Sequence, residues 1–89
     1  MIIDTKNYLL KYNLKKIDLT PRQLKIILLL SDNKTHNIRE IRRYIKLVTD
    51  LGTTLEIKKL NQKIINLAKI KLILRAKNNY RICREVYIS

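Results

Sequence analysis

The chain has 89 residues and sets 20 Lys and Arg against 7 Asp and Glu, a formal net charge of +13. A single domain, residues 1–89, is all this length supports, since domains typically run to about 100–150 residues. Apolar content of 46 % supplies a core and excludes a chain disordered by composition, and one Gly with one Pro excludes collagen-like and low-complexity classes.

From Tyr8 to Leu14 apolar residues alternate at Tyr8, Leu10, Tyr12 and Leu14, the pattern of a half-buried strand. Asn13 to Lys16 would turn it into a short second strand ending at Leu19. A helix from Thr5 to Lys15 capped by Asp4 is the competing reading, and local pattern alone leaves both open.

Thr20-Pro21-Arg22-Gln23 is a helix start, with Thr as N-cap, Pro at the first helical position and Gln at N3. Leu24, Ile27 and Leu28 form its buried stripe, which Ile26, Leu29 and Leu30 widen, and it ends near Ser31. Asn37 and Glu40 form a second capping box, opening a helix with Ile38, Ile41, Ile45 and Val48 on one side. Thr49-Asp50-Leu51-Gly52 is expected to break that helix at the only Gly. Thr53 and Glu56 then read as a third capping box, opening a helix over about 54–68. On it Ile57, Leu60, Ile64, Leu67 and Ala68 gather on one face, and Lys59, Gln62 and Asn66 on the opposite one.

The last zone reads as a hairpin over 72–84. Strand Leu72–Ala76 leads into a turn at Asn78-Asn79, and the return strand from Tyr80 to Ile88 places Tyr80, Ile82, Val86 and Ile88 on one face.

A surplus of +13 repels itself and favours a polyanionic partner, for which nucleic acid is the default. Richness in Ile, Lys and Asn points to AT-rich coding, which feeds Lys far more than Arg; the seven Arg are not explained that way. The expected architecture is α+β: short N-terminal strands, three helices and a C-terminal β-hairpin wing, a winged helix-turn-helix. Such a fold presents its third helix to the major groove. No acid interrupts that helix between Lys58 and Lys71, whereas an ordinary solvated face mixes signs to gain i,i+4 pairs. Gln62 and Lys59 are the first candidates for base contact, then Lys58 and Asn66, since amide side chains can pair with adenine and Lys with guanine acceptors. Lys63 and Lys69 are expected on phosphate. Arg75, Lys77 and Arg81 fit a wing on phosphate or in a minor groove, and Thr54 and Asn78 complete the set.

These segments resemble the OmpR/PhoB-type winged-helix effector domain of bacterial response regulators, over nearly the whole chain. The likeness is clearest at Ile17-Asp18-Leu19-Thr20-Pro21-Arg22-Gln23-Leu24, similar to that family's strand leading into a Leu-Thr-Pro-x-Glu helix start. Residues 2–14 resemble its N-terminal strands, which favours β for that zone. Residues 55–64 resemble its recognition helix in apolar spacing, and Tyr80-Arg81-Ile82 resembles the Gly-Tyr-Arg-Leu that ends its wing. The chain departs from the family at Gln23, where Glu is usual, and at Lys77 and Asn79, where the wing has glycines. The resemblance implies DNA contacts at Glu56, Lys58, Lys59, Asn61 and around Arg81. No receiver domain precedes the module, so a stand-alone DNA-binding protein or an isolated domain is expected.

Other chemistry is not called for. One His, His36, and one Cys, Cys83, do not make a zinc site, and no metal or cofactor is expected. The acids are scattered, no Gly-rich phosphate loop exists, and nothing points to an enzyme. A lone thiol suits a reducing cytoplasm. The longest apolar run, Ile26–Leu30, is far below the roughly 18 residues of a membrane span, and no signal-peptide core follows Met1. The expected partner is double-stranded DNA, bound as a homodimer or in tandem on repeated sites, because one such module buries little DNA. Transcriptional regulation and marking of a plasmid or phage replication or transfer origin use the same chemistry. The alternative is a protein-interaction module docking through Leu55 and Ile65 on the third helix.

Overall fold

Three strands open the chain, and their alternation decides which side chains enter the core. In the computed structural model, which describes residues 1–89, β1 (Ile2–Asp4) pairs antiparallel with β2 (Leu9–Tyr12), and β2 with β3 (Lys15–Asp18). The register sets Ile3 beside Leu10 and Leu10 beside Ile17, so one inward row of three fully buried side chains crosses the sheet. Burying an aliphatic side chain of this size contributes roughly 1.5–3 kcal/mol. The strand reading of this zone holds and the rival helix does not form. Asn13 turns the chain with φ of 54°, and Leu14 stands fully exposed at the turn instead of sharing the inward face.

α1 (Pro21–Leu30) begins at the expected box. Thr20 Oγ1 accepts from Gln23 N at 3.1 Å, and Gln23 Oε1 accepts from Thr20 N at 3.0 Å. Leu24, Ile26, Ile27 and Leu30 are buried, while Leu28, expected in the central stripe, and Leu29 are half-buried against the edge of the core. A short strand absent from the sequence reading, β4 (His36–Asn37), follows and leads into α2 (Ile38–Ile45). Asn37 caps α2 by accepting from Arg39 N at 2.9 Å. The reciprocal half of the expected box is missing, because Glu40 turns to His36.

The break between the next helices differs from expectation. α2 ends at Lys46, which takes a left-handed conformation with φ of 61°, so Val48 is no longer on the helix and is 86 % exposed. Thr49, not Thr53, caps α3 (Asp50–Ala68), its hydroxyl accepting from Gly52 N at 3.0 Å. Gly52 therefore lies inside α3, where an added Cβ would sit only 3.0 Å from that hydroxyl. Thr53 is buried and donates to Thr49 O at 3.1 Å. Ile57, Leu60 and Ile64 face the core as expected and Ala68 packs against it, but Leu67 is 49 % exposed.

The C-terminal hairpin is β5 (Ile73–Ala76) and β6 (Asn79–Ile82). Ala76 opposes Asn79, so the turn is Lys77-Asn78, one residue earlier than expected, and Lys77 carries the positive φ of 57°. β6 is the centre of a three-stranded sheet, with β5 on one side and β4 on the other. Asn79 is held in that sheet opposite Asn37, which takes it out of the turn. The expected long return strand does not run on. After Ile82 the chain bends, and β7 (Tyr87–Ile88) joins the first sheet parallel to β1, leaving Val86 half-buried and Ile88 exposed. The result is an α+β fold in which three mutually packed helices and two small sheets share one core. No helix is long and apolar enough to cross a membrane.

Candidate nucleic-acid interface

The buried face of α3 fixes what its other face can offer. With Ile57, Leu60 and Ile64 locked inward, a stripe at steps of three and four residues (Leu51, Leu55, Lys58, Gln62, Asn66, Lys69) points out, with Lys59 beside it. Each of these side chains is exposed. Gln62 Nε2 donates to Asn66 Oδ1 at 2.8 Å, which orients the two amides as a unit.

The hairpin is set against α3 by a pair of bonds unforeseen in the sequence. Asn61 Nδ2 donates to Ile73 O, and Ile73 N donates to Asn61 Oδ1, both at 3.0 Å. Thr54 adds a long contact, its hydroxyl 3.4 Å from Tyr80 Oη. A groove therefore runs between helix and hairpin, lined by Thr54, Lys58, Asn61, Lys71, Arg75 and Tyr80. Lys58 from the helix and Arg75 from the hairpin meet there. Arg75 is held in place by donating from Nε to Lys77 O at 2.7 Å, with its guanidinium 5.8 Å from the Tyr80 ring centre. Lys77 and Arg81 are exposed on the same hairpin. Asn78 is exposed, and its carbonyl accepts from Ile38 N at 2.7 Å, docking the turn on the start of α2.

Three of the expected contact residues are spent within the fold. Lys63 turns to the body of the protein, where Nζ donates to Asp18 O and Gln23 Oε1, both at 2.9 Å. Asn61 has both amide ends on Ile73. Glu56 pairs with Arg22 at 3.7 Å. The other acid of α3, Asp50, sits 2.9 Å from Arg42 Nε and 3.9 Å from Arg39 Nε. Both carboxylates of this helix are thus answered by arginines from other helices, and its exposed stripe carries no negative charge.

Behind the hairpin, His36 of β4 lies between two carboxylates. Nε2 is 2.9 Å from Asp32 Oδ1, and Nδ1 meets Glu40. Burial lowers the imidazole pKa, but hydrogen bonds to Asp32 and Glu40 outweigh it and hold the value above the usual 6.5. The hydrogen bond from His36 in turn holds Asp32 below its ordinary value. The carboxylates engage opposite ring nitrogens, so these groups do not converge on one point, and no cluster suited to a metal is formed. The fold-internal role of Asn61, the place of Lys71 in the groove and the Arg39–Asp50–Arg42 group escaped the sequence reading because each depends on which elements the fold brings together. Compared with family models, curated proteins and solved structures, the chain matches none.

Proposed function

We propose that the chain is a winged helix-turn-helix module that binds double-stranded DNA and performs no catalysis. In this reading α3 enters the major groove and the β5–β6 hairpin is the wing, straddling the adjoining backbone. The observation that carries it is the meeting of Lys58 and Arg75 in one groove, beside an acid-free helix face. Cations from two elements held at a fixed separation by the Asn61–Ile73 bonds can bridge a phosphate backbone without reordering. Lys58, Lys59, Gln62 and Asn66 are the base-side candidates; Arg75, Lys77 and Arg81 are the backbone candidates. Thr54 and Asn78 hold helix and hairpin in place.

A module this small buries little DNA, so pairing on repeated sites supports selective binding. Regulation of transcription and marking of a plasmid or phage origin both follow from that chemistry.

Selection of bound sequences from a random duplex pool tests the reading. A consensus with repeated half-sites is the expected result, and a log–log salt titration should fall by about 0.9 per phosphate contact. A pool that shows no enrichment, with binding indifferent to salt, would refute it. A protein-interaction module is the second reading, favoured by the exposure of Leu55 (47 %) and Leu51 (70 %).

A further inference from the structure

We infer that α3 reads thymine methyl groups through Leu51 and Leu55, so that the ligand is a B-form duplex whose site carries thymines at one end and adenine at the other. This deepens the duplex-binding reading and rests on it. Two exposed leucines alone would need no explanation, because folded proteins expose many apolar atoms. Their position is what matters. They continue the stripe of Lys58, Gln62 and Asn66, and occupy its N-terminal half.

That apolar half is rimmed by cations. Arg39, its side chain 72 % exposed, stands at the start of the helix beside Asp50, and Lys58 and Lys59 follow within one turn of Leu55. A protein surface seated on the leucines would have to bring carboxylates to answer those charges, or desolvate them at a cost. A major groove answers both demands, since phosphates flank it and the C5-methyl of thymine is its main apolar feature.

The amide half completes the pattern. Because Gln62 Nε2 donates to Asn66 Oδ1, the pair is left with a free acceptor at Gln62 Oε1 and free donors at Asn66 Nδ2. Adenine presents the complement in the major groove, an N6 donor and an N7 acceptor. At 1.5 Å per residue, Leu51 and Asn66 are about 22 Å apart along the helix. Thymine and adenine preferences therefore fall at opposite ends of the contacted site.

The test replaces thymine by uracil, which removes the methyl and leaves the pairing edge intact. The probe is the duplex recovered from the random pool, with uracil at each thymine in turn. Each contacted methyl contributes about 0.8 kcal/mol, so its loss should weaken binding about 4-fold, and 5-bromouracil should restore affinity. A Leu51→Ala, Leu55→Ala protein, checked for helix content by circular dichroism, should bind the thymine duplex more weakly and be indifferent to uracil.

Three results would overturn the inference while leaving duplex binding intact: a consensus without thymine, equal affinity for thymine and uracil duplexes, or an undiminished uracil penalty in the double variant. A double variant that changes only the sedimentation of the free protein would likewise overturn it, in favour of self-association. Absence of any duplex binding would remove the underlying reading too, and is seen before any methyl comparison is made.

Discussion

The carboxamide of Asn61 on α3 copies the hydrogen bonding of a β-strand neighbour to Ile73, donating to its carbonyl and accepting from its amide, each at 3.0 Å. Through this pair the helix carrying Lys58 and the hairpin carrying Arg75 are held as one unit. Asn61→Ala strands both backbone groups of a part-buried strand end. A loss of about 1–3 kcal/mol in urea unfolding is expected. Asn66→Ala, on the exposed stripe, should stay within about 0.5 kcal/mol.

Lys59 and Lys63, four positions apart on α3, have opposite fates, one exposed and one bonded to Asp18 O and Gln23 Oε1. Lys59→Ala should reduce the salt slope of DNA binding by about one unit with stability unchanged. Lys63→Met should leave the slope unchanged and lower stability by about 1–2 kcal/mol, the lower end of the range for charged donors because one of its bonds is exposed. Fluorescence anisotropy across a salt series, with thermal melts alongside, separates the two.

His36 gives the fold a pH dependence of definite sign. Its pKa is raised in the folded protein, so its contribution is complete below the unfolded value near 6.5 and is lost as pH rises through the higher folded value. Asp32 is lowered, so its contribution is present above about 3.8 and disappears as acid protonates it below that. Melting temperature should therefore decline on the alkaline side of 6.5 in the wild type, and His36→Gln should flatten that decline.

Lys46 closes α2 in the left-handed region at φ 61°, a conformation that strains any residue with a Cβ. Lys46→Gly should raise stability by about 1 kcal/mol, read as a higher midpoint in urea. A fall would mean that the lysine side chain contributes more than its backbone costs.

Residues 20–30 show how much the sequence determines by itself. The Thr20–Gln23 box and the buried stripe behind it formed as the residues dictate, because every partner lies within four positions. The core face of α3 at Ile57, Leu60 and Ile64 follows from a periodicity of 3.6 in the same way, whereas of the alternating set Tyr8, Leu10, Tyr12 and Leu14 only Leu10 is fully buried, because left-handed residues at Tyr8 and Asn13 bound the strand to Leu9–Tyr12. Tertiary structure decided where α2 stops, that His36 joins β6 and that the last strand crosses to β1. It also decided which polar side chains of α3 stay free. Lys63 finds its partners 40 and 45 positions away, and Asn61 finds its own 12 away. Apolar side chains share one destination, the core, so spacing alone directs them; a long polar side chain takes whichever partner the folded chain brings within about 3 Å, and only the assembled fold supplies that partner.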